Sequence, residues 1–119
     1  MNETFLTIAD TDLGSRHAAA KVRAQAETRA LAGEKVVLDL GAVLSISESY
    51  ADELFGVLAA RHGLEWFAEH IGFRAVDPAV FRVIVTAIRY RLESESPENP
   101  DVALLAARKA LQERQRSAA

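Results

Sequence analysis

Two periods of apolar residues alternate along this chain, and the switches between them mark its elements. Thr4 to Ala9, with Phe5, Leu6 and Ile8 apolar, reads as a strand. From Ser15 to about Leu31 the spacing lengthens. Ala18, Val22, Ala26 and Ala30 recur four apart, giving an Ala-rich helix a narrow face of small side chains that can sit close to a sheet, with Gly33 just past its end. Val36, Val37 and Leu38 form a continuous apolar run, followed by Asp39 and Leu40, which predicts a central strand covered on both faces. Gly41 permits a turn, and Ala42, Val43, Leu44 and Ile46 stay apolar, so the connection is expected to pack down in an ordered form. A helix beginning near Ser47 carries Ala51, Leu54, Phe55, Leu58 and Ala59 on one side and ends near Gly63. Leu64 to His70 reads as a further short helix with Trp66 and Phe67, and Gly72 to Val76 as a third strand. Asp77 then caps a helix with Pro78 in its first turn.

That helix, from about Pro78 to Leu92, has one polar stripe of Arg82, Thr86, Arg89 and Glu93, and apolar residues around most of the remaining circumference. The apolar arc is wider than one sheet contact needs, so either the C-terminal segment or a second chain should cover part of it. SESPENPD breaks the helix with two prolines, and Asn99, Pro100 and Asp101 open a last helix to about Arg116. Its Leu104, Ala107 and Leu111 stripe is thin, and packing back on Val83 or Tyr90 is expected in preference to an intermolecular contact. The organisation is thus an α/β domain at 1–94, a small mixed sheet covered by helices, with a linker at 95–100 and an added helix and tail at 101–119.

Composition narrows the function classes. At 119 residues, half of them apolar or aromatic, the chain is one domain able to remove roughly two-thirds of its unfolded surface from water. It has no cysteine, so disulfides and thiol nucleophiles are excluded. The first residues, MNETFLTIAD, lack the basic and apolar regions of a signal peptide, and no apolar run approaches the roughly 20 residues of a membrane span. A cytoplasmic protein is expected. The net charge of −3 disfavours a polyanion as ligand. Arg82, Arg89 and Arg91, and later Arg108, Lys109, Arg114 and Arg116, lack interleaved aromatics and read as solvated helix faces.

Candidate chemistry concentrates where the central strand runs into the next helix. Ser47 or Ser49 can cap that helix, and Glu48, Asp52 and Glu53 fall in its first turns, where the macrodipole favours negative charge. Glu48 and Asp52 share a face and in principle supply two carboxylates for acid and base work or a hard metal. Acidic residues are expected in a first turn in any case, and no histidine lies near them in sequence. No Gly-rich phosphate loop, HExxH or GxSxG pattern is present. His17, His62 and His70 are scattered, and a surface helix face accounts for His62, Glu65 and Glu69. An enzyme is not the expected reading, and no cofactor is implied. Asp39, at the end of a buried strand, is expected to accept backbone amides from the loop beside it, with Gly41 as its structural companion.

The run Ile46, Ser47, Glu48, Ser49, Tyr50, Ala51, Asp52, Glu53, then Leu54, Phe55 and Gly56, resembles a STAS-like domain family of unknown function (DUF4325-type), related to bacterial anti-sigma-factor antagonists. Its members typically carry a strand ending in Asp, a hydrophobic loop and a pattern close to ISSSFADE. The similarity extends from about Leu13 to about Leu92, more weakly before Gly33 and after Gly63, and the tail beyond Ser94 lies outside it. The resemblance implies a small sheet covered by helices, with function at the loop after the central strand and the start of the following helix. In the related antagonists a DSSG-like run occupies this helix start, and a partner kinase phosphorylates its first serine to release the partner. Here that position is Glu48, which carries one negative charge where phosphoserine carries about 1.5 to 2. The site is then either fixed in a phosphate-like state or switched at Ser45, Ser47 or Ser49, unless Glu48 simply favours the helix N-terminus.

These readings converge on a non-enzymatic regulatory module that binds a protein partner through Ser45, Ser47, Glu48, Ser49 and Asp52, with neither nucleic acid nor membrane as target. The resemblance implies a GHKL-type serine kinase or histidine-kinase-like ATPase as that partner. The alternative is a self-associating scaffold or subunit that uses the helix at 78–92 and the C-terminal helix.

Overall fold

A computed structural model of the protein describes residues 2–94, so the expected linker at 95–100 and helix beyond it lie outside the described residues. The order of elements is β1 (Glu3–Thr7), β2 (Asp12–Leu13), α1 (Arg16–Leu31), β3 (Lys35–Asp39), β4 (Ser45–Ile46), α2 (Glu48–Ala51), a π-helical turn (Asp52–Gly56), α3 (Val57–His62), α4 (Leu64–His70), β5 (Ile71–Arg74) and α5 (Pro78–Ser94). The α/β alternation is the one the sequence predicts. β1, β3 and β5 form one sheet in that spatial order, and β2 and β4 a second, two-stranded one. The expected mixed sheet is in fact parallel at every described pairing. Each step between neighbouring strands passes through a helical crossover, and a crossover returns the chain in its original direction.

β3 is central, as its apolar run implies, but it is not covered equally on both faces. Val36 and Leu38 are fully buried, whereas Lys35, Val37 and Asp39 are half-buried. The second face carries a row of Phe5, Val37 and Gly72. Phe5 stays 51% exposed there, with the Arg74 guanidinium 5.6 Å from its ring centre. β5 stops at Arg74 rather than continuing to Val76 because Ala75 turns the chain with a φ of 59°, a left-handed conformation that costs an alanine about 1 kcal/mol. Opposite it, a Cβ on Gly41 would fall 3.4 Å from the Ala75 Cβ and 3.2 Å from Asp39 Oδ1, so this close approach of two connections favours a glycine.

α1 begins at a Ser15 cap, whose hydroxyl accepts the Ala18 amide at 3.1 Å. Its buried face is Ala19, Ala26 and Ala30, with Val22 half-buried. Ala18, expected on that face, is exposed, because a strict spacing of four drifts around a helix of 3.6 residues per turn.

The segments from Glu48 to His62 form one helix with a π turn inside it, ended by Gly63 at a φ of 92°. Its predicted stripe of Ala51, Leu54, Phe55, Leu58 and Ala59 is entirely buried. Phe55 meets Phe67 and Phe73 with ring centres 6.4 and 5.4 Å apart. Where the turn widens, the Val57 amide bonds to the Asp52 carbonyl five residues back. At this widened turn α5 presses closely on Gly56. A Cβ there would lie 2.8 Å from Asp52 Oδ1, 3.3 Å from the Arg91 Cβ and 3.4 Å from the Ala87 carbonyl oxygen.

The close packing makes Gly56→Ala a signed test. Alanine gains about 1 kcal/mol as a helix former, but crowding against a charged pair and a backbone carbonyl costs about 1–3 kcal/mol. We expect the urea midpoint to fall at unchanged m value, by the equivalent of up to about 2 kcal/mol. A raised midpoint would mean that α5 does not press on this turn.

Candidate functional site

The connection after β3 is ordered by the segment that precedes α1. Leu40 and Val43 anchor it in the core, while Leu44, expected to pack down with them, is 73% exposed. The Thr11 carbonyl accepts the Leu44 and Ser45 amides at 2.7 and 3.1 Å, and the Leu13 carbonyl accepts the Ser47 amide at 2.8 Å. Asp39 Oδ1 accepts the Gly41 amide at 3.0 Å. The Ser45 hydroxyl donates to Asp12 Oδ1 at 2.5 Å. That bond, helped by Thr11, holds the Asp12 carboxyl below its ordinary range. Ser47, and not Ser49, caps the helix: its hydroxyl accepts the Tyr50 amide at 3.0 Å and donates to the Gly14 carbonyl at 2.9 Å. Sequence reasoning missed Thr11, Asp12 and Gly14, because the two-residue strands β2 and β4 that bring them here are too short to show a period.

Above this loop, the two acids of the π turn gather arginines from both flanking helices. Arg91 grips Asp52 with two parallel bonds, Nε to Oδ1 at 2.9 Å and Nη2 to Oδ2 at 2.6 Å. Arg16 Nη1 bridges Asp52 Oδ2 at 2.9 Å and Glu53 Oε1 at 3.0 Å. Arg23 pairs with Glu53 Oε2 and also donates to the Glu53 carbonyl at 3.0 Å. The bonds from Arg91, and secondarily from Arg16, hold the Asp52 carboxyl below its ordinary range against the opposing effect of burial. Arg23 and Arg16 do the same for Glu53. Arg91 is therefore not part of a solvated face; its side chain is 27% exposed and belongs to this network. Nothing local in the sequence marks it, since Asp52 lies 39 residues away.

Between α5 and the start of α2 runs an open groove of about 830 Å³. Glu48, Ser49 and Asp52 line one side with Arg16, and the α5 face of Arg82, Val83, Thr86, Ala87 and Tyr90 lines the other. The structure thus brings Glu48, Ser49 and Asp52 together on one wall, while Ser45 and Ser47 lie in the supporting loop. Glu48 and Ser49 are exposed. Among the described residues no cation pairs with the Glu48 carboxylate and no group bonds the Ser49 hydroxyl.

The histidines form no part of this site. His62 Nε2 lies 2.7 Å from Glu27 Oε2, and Trp66 stacks between His62 and His70 at centroid distances of 4.1 and 4.6 Å. Burial raises the Glu27 carboxyl, but bonds to His62 and Arg61 outweigh it and the net shift is downward. Among the described residues no group of three or more histidines and acids is arranged to hold a metal ion, and no helix is long and apolar enough to cross a membrane.

The depressed Asp52 carboxyl fixes a sign for pH dependence. A folded-state value below the unfolded one adds stability that is present at neutral pH and lost as pH falls through the folded value. Asp52→Asn should cost about 1–3 kcal/mol at pH 7, and its deficit against wild type should shrink between roughly pH 5 and pH 2. Urea titrations at both ends of that range check this. An equal deficit at both would show that the carboxylate charge is not what binds the three elements.

No curated protein and no solved structure matches this chain. A family model does, over residues 18–81, from the first turn of α1 to the first turn of α5. That span is narrower than the expected Leu13 to Leu92 but contains β3, its loop, the whole helix with the π turn and β5. It covers more than half of the chain, and the chain accordingly belongs to the family described as a STAS-like domain of unknown function (DUF4325).

Proposed function

We propose that the chain is a non-enzymatic regulatory module that binds another protein through the loop and helix start at Ser45–Asp52. The observation that carries this reading is the contrast at that helix start. Ser45, Ser47 and Asp52 are bound internally and hold the backbone in place, whereas Glu48 and Ser49 stand exposed beside a groove with no partner among the described residues. A rigid backbone that presents unsatisfied polar groups loses little entropy when a partner binds. The resemblance of 46–53 to the ISSSFADE-like pattern of a family related to the antagonists favours a GHKL-type serine kinase or histidine-kinase-like ATPase as that partner. Asp52, held ionised by Arg91 and Arg16, is a poor proton donor near neutral pH, which weighs against acid and base work with Glu48. If the site is switched by phosphorylation, Ser49 is the best placed of the three serines, because Ser45 and Ser47 would each have to give up an internal bond.

A second reading, self-association, has one observation in its favour: Tyr90 is 73% and Phe81 39% exposed on α5. A mass in light scattering that rises with concentration would support it.

The test is an affinity pull-down from the native cell with wild-type and Glu48→Arg baits, read by mass spectrometry. Glu48 is exposed, so charge reversal should alter stability by no more than about 1 kcal/mol. We expect wild type to retain an ATPase-domain protein that Glu48→Arg loses. The same proteins recovered by both baits would place the function elsewhere.

A further inference from the structure

β1 closes one side of the three-stranded sheet, and among the described residues no strand lies beyond it. We propose that β1 pairs antiparallel with β1 of a second copy of this chain, joining two three-stranded sheets into one of six strands.

Two hydrogen bonds fix the direction in which the backbone of β1 points. The Asn2 carbonyl accepts the Lys35 amide at 2.7 Å, and the Ile8 amide donates to the Asp39 carbonyl at 3.1 Å, so the even-numbered residues turn their groups toward β3. In a strand the N–H and C=O of one residue point to the same side and those of the next residue to the other. Glu3, Phe5 and Thr7 therefore direct three donors and three acceptors outward, and all three residues are exposed. Natural edges are commonly blunted by Pro, Lys or a covering element. Glu3–Thr7 contains neither residue, and α1 packs chiefly on β3 and the π turn, one strand further in. Both crossovers step the same way across the sheet. Right-handed connections then stack the helices on one face and leave Phe5, Val37 and Gly72 on the other, although parallel sheets are ordinarily covered on both.

A two-fold axis between the Phe5 residues of the two copies uses every one of these groups. Phe5 exchanges a pair of hydrogen bonds with Phe5 of the second copy, and Glu3 and Thr7 each exchange a pair with Thr7 and Glu3 of that copy. Centring on Glu3 would oppose two carboxylates, and centring on Thr7 would carry the pairing past the end of the strand. The neighbouring strands agree with the Phe5 register. The outer row reads Arg74, Asp39, Thr7, then Glu3 and Lys35 of the second copy, so each acid has a cation of its own sheet beside it and an uncharged threonine separates the two acids. The central row becomes a continuous apolar band of Gly72, Val37 and Phe5 followed by Phe5, Val37 and Gly72 of the copy. Phe5, 51% exposed in the single chain, gains an aromatic cross-strand neighbour, and on the other face Thr4 meets Leu6. A strand of another protein could satisfy the backbone, but the self-complementary order of side chains about Phe5 favours a second copy.

The pairing uses no residue of the Ser45–Asp52 junction and none of α5, so it stands whether or not the partner reading does. Because the two β1 strands run in opposite directions and β3 is parallel to β1, the two junctions fall at opposite ends of the six-stranded sheet. Both stay open to a partner.

An edge of five residues is small beside the roughly 800 Å² that each partner of a standard interface buries, so the dimer should depend on concentration. Sedimentation equilibrium of the full chain, from micromolar to millimolar, should show the mass climbing toward twice that of one chain. Thr7→Pro removes an outward N–H and leaves the ladder with β3 intact. By symmetry it deletes two of the intermolecular bonds, and it should move the midpoint at least about tenfold to higher concentration. A monomer throughout would overturn the proposal. So would dimerisation that Thr7→Pro leaves unchanged, since the copies would then meet elsewhere, as on α5. Cross-linking is the second measurement, and it keeps the proposal testable should the proline variant fail to fold. The chain has no cysteine of its own, and Phe5 and Thr7 are both exposed. In the proposed register the Cα atoms of Phe5→Cys in the two copies lie about 5.5 Å apart, within reach of a disulfide, whereas those of Thr7→Cys lie about 14 Å apart. Under mild oxidation a disulfide between chains should form at least about tenfold faster for Phe5→Cys, and equal rates would overturn the pairing.

Discussion

The bidentate pair of Asp52 with Arg91 is the interaction on which the arrangement of the helices depends. It ties the π turn to α5, and through Arg16 and Glu53 it extends to α1. In energy it is the smaller contributor. A half-buried charge-assisted pair adds about 1.5–3 kcal/mol, whereas each buried Leu, Ile or Phe adds about as much, and this helix alone buries Leu54, Phe55 and Leu58. Apolar burial is non-directional, however, and would accept α5 shifted along its axis. Two parallel hydrogen bonds to one guanidinium fix both position and rotation. The core holds α5 down, and Asp52 decides where along the composite helix it sits.

The π turn is the local form of the same constraint. The widened turn has Asp52 at one end and Gly56 at the other, and Gly56 has room for no more than a hydrogen where α5 crosses. A glycine and an aspartate four residues apart thus act together, one by carrying no Cβ and the other by binding the arginine of the helix that approaches. The groove between α2 and α5 follows from this geometry, since contact is close at Gly56 and the space opens beyond Asp52 toward Glu48.

Much of the fold was legible because it rests on periodic burial. The stripe from Ala51 to Ala59 and the β3 run could be read directly, since a side chain's burial depends on its position in a repeat. Elements without a repeat could not: β2 and β4 are two residues each, and the Ala75 turn is one residue. The π turn shifts the helical phase by about one residue, and the apolar stripe around it is broad enough to absorb the shift. Arg91 was hidden for a different reason. Its charge made it look solvated, and only a partner 39 residues away in sequence makes it half-buried. At the site, the position of the loop was legible from Asp39 and Gly41, but the division of its serines was not. Which of Ser45, Ser47 and Ser49 is bound internally depends on Asp12 and Gly14, residues of a separate connection that no local pattern joins to them.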